Sequence, residues 1–219
     1  MPAAAPEAPP EPSGISAATA PGANAADAPP HAYTIAQQTE DLARLLESAP
    51  AIRRGSKGPA LFIVAFHGCP ACIVVHEREA PVLEAAGIDV RWILYARRDK
   101  NGEVRSTGDE RSAVAELVSR RDFAAFDHWM SDSAASLPTA KGAPGKGPDE
   151  AAVLEAGRAL VDRLNDIVTA NALPFAVPAL FWKDGEMWRS YIGYDENTFA
   201  EVRASLGIVP SPPSGARQP

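Results

Sequence analysis

Cysteine is scarce in this chain. Only two of its 219 residues are cysteines, Cys69 and Cys72. With both in one short stretch, none remains for a structural cross-link elsewhere, which excludes a disulfide-stapled scaffold. Cations are outnumbered, 21 Lys and Arg against 28 Asp and Glu, for a formal net charge of -7. That balance excludes nucleic acid and anionic membrane surfaces as expected partners. Long apolar runs are missing as well. No stretch approaches the roughly 18 consecutive apolar residues of a membrane-spanning helix. The opening Met1-Pro2-Ala3-Ala4-Ala5-Pro6-Glu7 has neither the basic nor the apolar region of a secretory signal. An exported protein with this start is expected to be a form whose signal has been removed.

Hydrophobic residues are nonetheless plentiful, at 46%, enough for a sizeable core in one domain with extra segments. Residues 1–31 are Ala, Pro, Gly and Ser with scattered acids, a composition that buries too little apolar surface to offset chain entropy. A disordered leader or tether is expected there. Residues 32–57 are read as an N-terminal helix and a connector. Thr34 and Gln37 have capping-box spacing, and Ile35, Leu42, Leu45 and Leu46 share one face. Arg53 to Gly58 reads as a solvated basic turn without a role of its own.

The scaffold read over residues 58–207 is built around the two cysteines. Ala60 to Phe66 is nearly all apolar, as expected of a central strand covered on both faces. It runs straight into His67-Gly68-Cys69-Pro70-Ala71-Cys72, and a helical pattern follows. Pro81 is expected to kink or divide that helix. Ile88 to Tyr95 is a second strand, parallel to the first through a right-handed crossover. Residues of about 109 to 171 form a helical insertion, with Val114, Leu117, Val118, Phe123, Phe126 and Trp129 on one apolar face and a flexible connector at 131–148. Ala179 to Trp182, the turn Lys183-Asp184-Gly185-Glu186 and Met187 to Ile192 form a hairpin. A last helix ends at Gly207, and residues 208–219 are a disordered tail.

A C-x-x-C between a strand and a helix suits thiol–disulfide chemistry. A thiolate at the first helical turn faces unsatisfied N–H groups and the positive end of the helix dipole. That lowers its pKa, into the range of about 3.5–7.5 for such cysteines. Cys69 is thus the candidate nucleophile, and Cys72, one turn further in, the resolving thiol. Pro70 suits the first helical turn, and Pro70-Ala71 together tune the redox poise. His67 has two readings, a thiolate-stabilising imidazolium or an exposed loop histidine. His76 follows Cys72 by four residues, so a copper or zinc site of Cys69, Cys72 and His76 is the alternative, although no fourth ligand is evident. Otherwise His76 is a helix-surface residue. A c-type haem would need histidine where Ile73 stands.

The order strand, C-x-x-C helix, strand, helical insertion, proline, hairpin and helix resembles the thioredoxin fold, an α/β class with a central mixed sheet flanked by helices. Within it the chain resembles bacterial periplasmic disulfide isomerases of the DsbC/DsbG type. The residues that carry this are Phe66-x-x-Cys69-Pro70-Ala71-Cys72, Ala86 to Ile93, Ala176-Val177-Pro178-Ala179-Leu180-Phe181-x-x-x-Gly185 and Gly193-Tyr194. The resemblance implies that Pro178 is a cis-proline beside the C-x-x-C and that the backbone of Val177 pairs with an extended substrate. It implies protein substrates with thiols or disulfides, a membrane or soluble redox partner, and a periplasmic or otherwise exported location, with the cytoplasm left open. It implies no cofactor beyond the Cys69–Cys72 disulfide itself. Two departures point away from isomerisation and from cytosolic thioredoxin. Residues 1–57 show no clear dimerisation domain, and apolar residues such as Ile63 stand where thioredoxin has a buried acid.

Overall fold

A computed structural model describes residues 30–131 and 149–208. The leader up to residue 29, the connector at 132–148 and the tail from 209 lie outside the described residues. Among the described residues five strands form one mixed sheet: β1 (Ala32–Ile35), β2 (Ala60–Ala65), β3 (Asp89–Leu94), β4 (Ala179–Asp184) and β5 (Met187–Ile192). Their spatial order is β1-β5-β4-β2-β3. The β2–β3 pair is parallel, and the β2–β4, β4–β5 and β1–β5 pairs are antiparallel. The hairpin turn is Gly185-Glu186, with Gly185 at φ 60°.

Helices cover both faces of the sheet, and the alternation along β2 shows how. Leu61, Ile63 and Ala65 point to one layer, with Cys69, Cys72, Val75 and Leu83 of the helix after β2. That layer also holds Val114, Leu117 and Val118 of helix α4 (Gly108–Arg120), and Phe126 and Trp129 of helix α5 (Phe123–Ser131). Phe62 and Val64 point the other way, to Leu42 and Leu46 of helix α1 (Thr39–Ser48) and to Val161, Leu164, Ile167 and Val168 of helix α6 (Glu150–Ala170). A strand buried on both faces explains why β2 carries no polar residue.

The segment expected to be helical from Thr34 is instead β1, and α1 starts only at Thr39. Two effects override the capping-box spacing. Thr34 and Ile35 are β-branched and pair with Arg189 and Trp188 of β5. Gln38 then takes a left-handed conformation, φ 58°, which breaks any helix running through it. The Asn171 side chain accepts from the N–H groups of Ala36 and Gln37, at 2.8 Å each, satisfying the backbone between strand and helix. Residues 32–57, read from sequence as separate from 58–207, therefore contribute an edge strand and a helix to the same sheet and core.

The basic connector also has a structural role. Arg53 Nη1 lies 2.8 Å from Asp89 Oδ2, and Arg91 Nε lies 2.7 Å from the same oxygen. Burial pushes the Asp89 carboxyl up, but the hydrogen bonds from Arg91, Arg53 and the Ser56 N–H outweigh it and hold the pKa below the usual value. Gly58 is packed against the backbone of Gly87 so closely that a Cβ would sit 1.8 Å from its carbonyl oxygen. Only glycine fits there.

The helix after β2 is continuous from Pro70 to Ala85 but not uniform. Helix α2 (Pro70–Val74) passes into a π-helical turn, Val75–Glu79, and then into α3 (Ala80–Ala85). Pro81 has no N–H to donate, and the widened turn directly before it takes up the irregularity that a kink was expected to provide.

Candidate active site

The site lies at the carboxyl ends of β2 and β3, where β2 turns into α2. Cys69 is the N-cap of α2, Pro70 stands at its first turn, and the Cys72 N–H donates to Cys69 Sγ at 3.2 Å. Proline fits because the first helical N–H has no partner to lose. Cys69 and Cys72 are joined as a disulfide, with Cα atoms 5.2 Å apart. Cys69 is 4% exposed and Cys72 fully buried, so an incoming thiolate meets Cys69 first. Pro70 is exposed and Ala71 half-buried beside it.

From more than a hundred residues away, the Val177–Pro178 loop arrives opposite the cysteines. Its peptide bond is cis, and the Val177 carbonyl oxygen lies 3.8 Å from Cys69 Sγ. The Pro178 carbonyl accepts from the Gly193 N–H at 2.8 Å, which ties this loop to the end of β5.

His67 is half-buried and stacks on Trp129 of α5, with ring centroids 4.3 Å apart and planes 21° apart. It is thus not the freely exposed loop histidine of one reading. Two further neighbours escaped the sequence reading. The Arg97 guanidinium lies 4.1 Å from the centroid of the Phe66 ring, which itself meets Tyr95 edge-on. Trp129 was legible as an apolar helix position, but nothing in its spacing pointed to His67.

His76 corrects an expectation. It is not on the helix surface but 5% exposed, edge-on to Trp92 and Phe126, with Nε2 3.2 Å from Asp127 Oδ1 and Nδ1 without a partner among the described residues. Arg54 reaches the same Asp127 and also Glu84, so the connector, the active-site helix and α5 meet here. Among the described residues no three His, Cys, Asp or Glu side chains are placed to hold a metal ion, so Cys69, Cys72 and His76 do not converge.

Burial pushes the His76 pKa down, with Arg54 acting in the same direction, while Asp127 and Glu77 oppose it. As pH falls below the unfolded value of 6.5, the unfolded chain takes up a proton before the folded one does, so stability falls. His76→Phe is expected to flatten this acid limb. Urea midpoints for the two proteins on either side of that pH check it, and an unchanged slope would remove His76 as its source.

The order of strands, the helix that begins at the C-x-x-C and the proline loop opposite it can be compared with solved structures. A periplasmic thioredoxin-like protein from Salmonella enterica serovar Typhimurium superposes with a TM-score of 0.51 at 16% identity, covering 76% of this chain and 96% of that one. A linker-deletion mutant of Proteus mirabilis ScsC gives 0.53 at 16% identity, covering 78% and 81%. The fold is that of thioredoxin. No protein-family model matches the chain, and no curated protein does. At such identities the likeness speaks for the thioredoxin fold and not for its chemistry, which the site itself has to supply. Among the described residues no helix is long and apolar enough to cross a membrane.

Proposed function

We propose that the chain is a thiol–disulfide oxidoreductase that acts on protein substrates through Cys69 and Cys72. One observation carries this reading: Cys69 caps a helix N-terminus, accepts the Cys72 N–H, and is the less deeply buried residue of a disulfide. In the oxidised protein a substrate thiolate attacks Cys69 Sγ, the Cys69–Cys72 bond breaks, and Cys72 leaves as a thiolate. A second substrate thiolate then attacks the substrate sulfur of the mixed disulfide and expels Cys69. Two substrate thiols lose two electrons and two protons, and the cysteine pair gains them. Reduction and isomerisation run the same exchanges in other orders. The stabilised Cys69 thiolate is the good leaving group that makes release fast.

In this reading the Val177–Pro178 backbone holds an extended substrate beside Cys69, a short form of strand addition. A redox partner, soluble or in the membrane, resets the pair. The protein works in an exported, periplasmic setting, where disulfides persist. The DsbC/DsbG likeness rests on the sequence runs alone and leaves oxidase, reductase and isomerase as directions of one chemistry.

Equilibration with glutathione tests the proposal. The pair is expected to cycle fully and reversibly. A potential well above the roughly -270 mV of thioredoxin assigns oxidation or isomerisation, and a value near it assigns reduction. A pair that glutathione leaves untouched in both directions overturns the reading.

A further inference from the structure

Glu79 is an acid on the apolar stripe of the active-site helix, in line with Cys72, Val75 and Leu83, and it is 2% exposed. It lies seven residues beyond Cys72, two helical turns and about 10 Å along the axis. A carboxylate buried so deeply must be paired and hydrogen-bonded. Arg203 of helix α7 (Phe199–Ser205) donates from Nε to Glu79 Oε2 at 3.0 Å, and its Nη2 reaches the same oxygen. The Tyr194 hydroxyl donates to Oε1 at 3.0 Å. Burial and the Glu79 carboxylate together push the Tyr194 phenol up to about 12, so it remains a donor throughout the physiological range.

Tyr194 is the residue after Gly193. The Gly193 N–H holds the Pro178 carbonyl at 2.8 Å, and the Val177 carbonyl lies 3.8 Å from Cys69 Sγ. A chain of short links thus runs from the helix that carries the cysteines, through Glu79, Tyr194 and Gly193, to the loop that faces them. Both halves of the site belong to separate parts of the chain, and this chain of contacts spans the gap between them.

We propose that Glu79 and Tyr194 are positioning residues that set the spacing between Cys69 and the Val177–Pro178 backbone, and so govern exchange with extended polypeptides but not with small thiols. The proposal rests on the oxidoreductase reading above. A polypeptide must register its backbone on Val177 while its sulfur meets Cys69, and misplacement by a fraction of an ångström weakens such two-point alignment. Dithiothreitol has no peptide backbone and needs access to Cys69 alone.

The test compares oxidised wild-type protein with Tyr194→Phe, Glu79→Gln and Glu79→Ala. Each is assayed against a reduced, unfolded polypeptide and against dithiothreitol, and the reduction potential of the pair is measured for each. Tyr194→Phe deletes one hydroxyl and keeps the ring. It is expected to lower kcat/KM for the polypeptide about ten-fold, with the dithiothreitol rate and the potential unchanged. Glu79→Gln keeps an acceptor for the Tyr194 hydroxyl and is expected to retain most polypeptide activity, whereas Glu79→Ala matches Tyr194→Phe. Equal losses on both substrates, a shifted potential, or full polypeptide activity in Tyr194→Phe overturns the proposal. Should Glu79→Ala not fold, the Tyr194→Phe comparison decides alone. Failure of wild-type protein to exchange with either substrate strikes the oxidoreductase reading itself, before any variant is compared.

Discussion

Cys69→Ala is expected to abolish disulfide exchange, whereas Cys72→Ala is expected to trap substrates as covalent mixed disulfides. The asymmetry follows from the two environments. Cys69 is the less deeply buried residue of the pair, and its sulfur accepts the Cys72 N–H at the start of α2. Its thiolate is stabilised by that donor and by the helix dipole. Cys72 is fully buried in the core layer with Val75 and Leu83, so it meets a substrate only after the substrate is already bound to Cys69. Removing Cys69 leaves a thiol that substrates cannot reach. Removing Cys72 leaves a nucleophile that forms the first mixed disulfide and has no neighbour to resolve it. Mass spectrometry of incubations with a disulfide-containing protein reads both outcomes. Exchange retained by Cys69→Ala would falsify the assignment. In Cys72→Ala the ultraviolet absorbance of the Cys69 thiolate should titrate below the ordinary cysteine range. A titration near the free-cysteine value of about 8.5 would show that the helix start does not activate it.

The largest loss of stability away from the cysteines is expected at Phe126. Its side chain is fully buried in α5. Its ring centroid lies 5.3 Å from those of both Trp92 on β3 and His76 on the active-site helix, and 5.7 Å from Phe123. It joins the helical insertion to the sheet and to the helix that carries the cysteines. Phe126→Ala removes those contacts and leaves a cavity that rigid neighbours cannot fill, at a cost of about 3–5 kcal/mol. Against a total of about 5–15 kcal/mol for a domain, that is a large fraction. Phe126→Leu, which fills much of the volume, should cost far less. Urea denaturation checks the pair, with a lower midpoint and unchanged slope expected for Phe126→Ala. A loss of under about 1 kcal/mol would mean that α5 is not held through this residue. Trp129, which stacks on His67, belongs to the same helix, so partial loosening of α5 should also alter Trp129 fluorescence.

The strand and helix start around Cys69 were legible because their determinants are local. An apolar run, a C-x-x-C and a proline at the first helical turn sit within a dozen residues, and each has its own physical reason. The strand β2, the strand β3, the hairpin around Gly185 and the helices of the insertion followed from periodicity and turn chemistry in the same way. The error at Thr34 came where local and distant effects compete. Its capping-box spacing is a weak preference, and pairing with β5, more than 150 residues away in sequence, outweighs it. His76 was misplaced for a related reason. A histidine four residues after Cys72 reads as polar, and only α5 folding over it with Phe126 and Asp127 puts it inside. Glu79 could have been flagged, since it interrupts an apolar stripe of helical spacing, but its partners Tyr194 and Arg203 lie at the other end of the chain.

By itself the sequence determined the C-x-x-C between an apolar strand and a helix start, and the α/β class, since these depend on neighbours a few residues apart. The tertiary structure decided the rest. It set the Val177 carbonyl against Cys69, stacked His67 on Trp129 and buried Glu79 between the two halves of the site. Such placements come from long-range packing, and the side chains that make them are brought together only when the sheet closes.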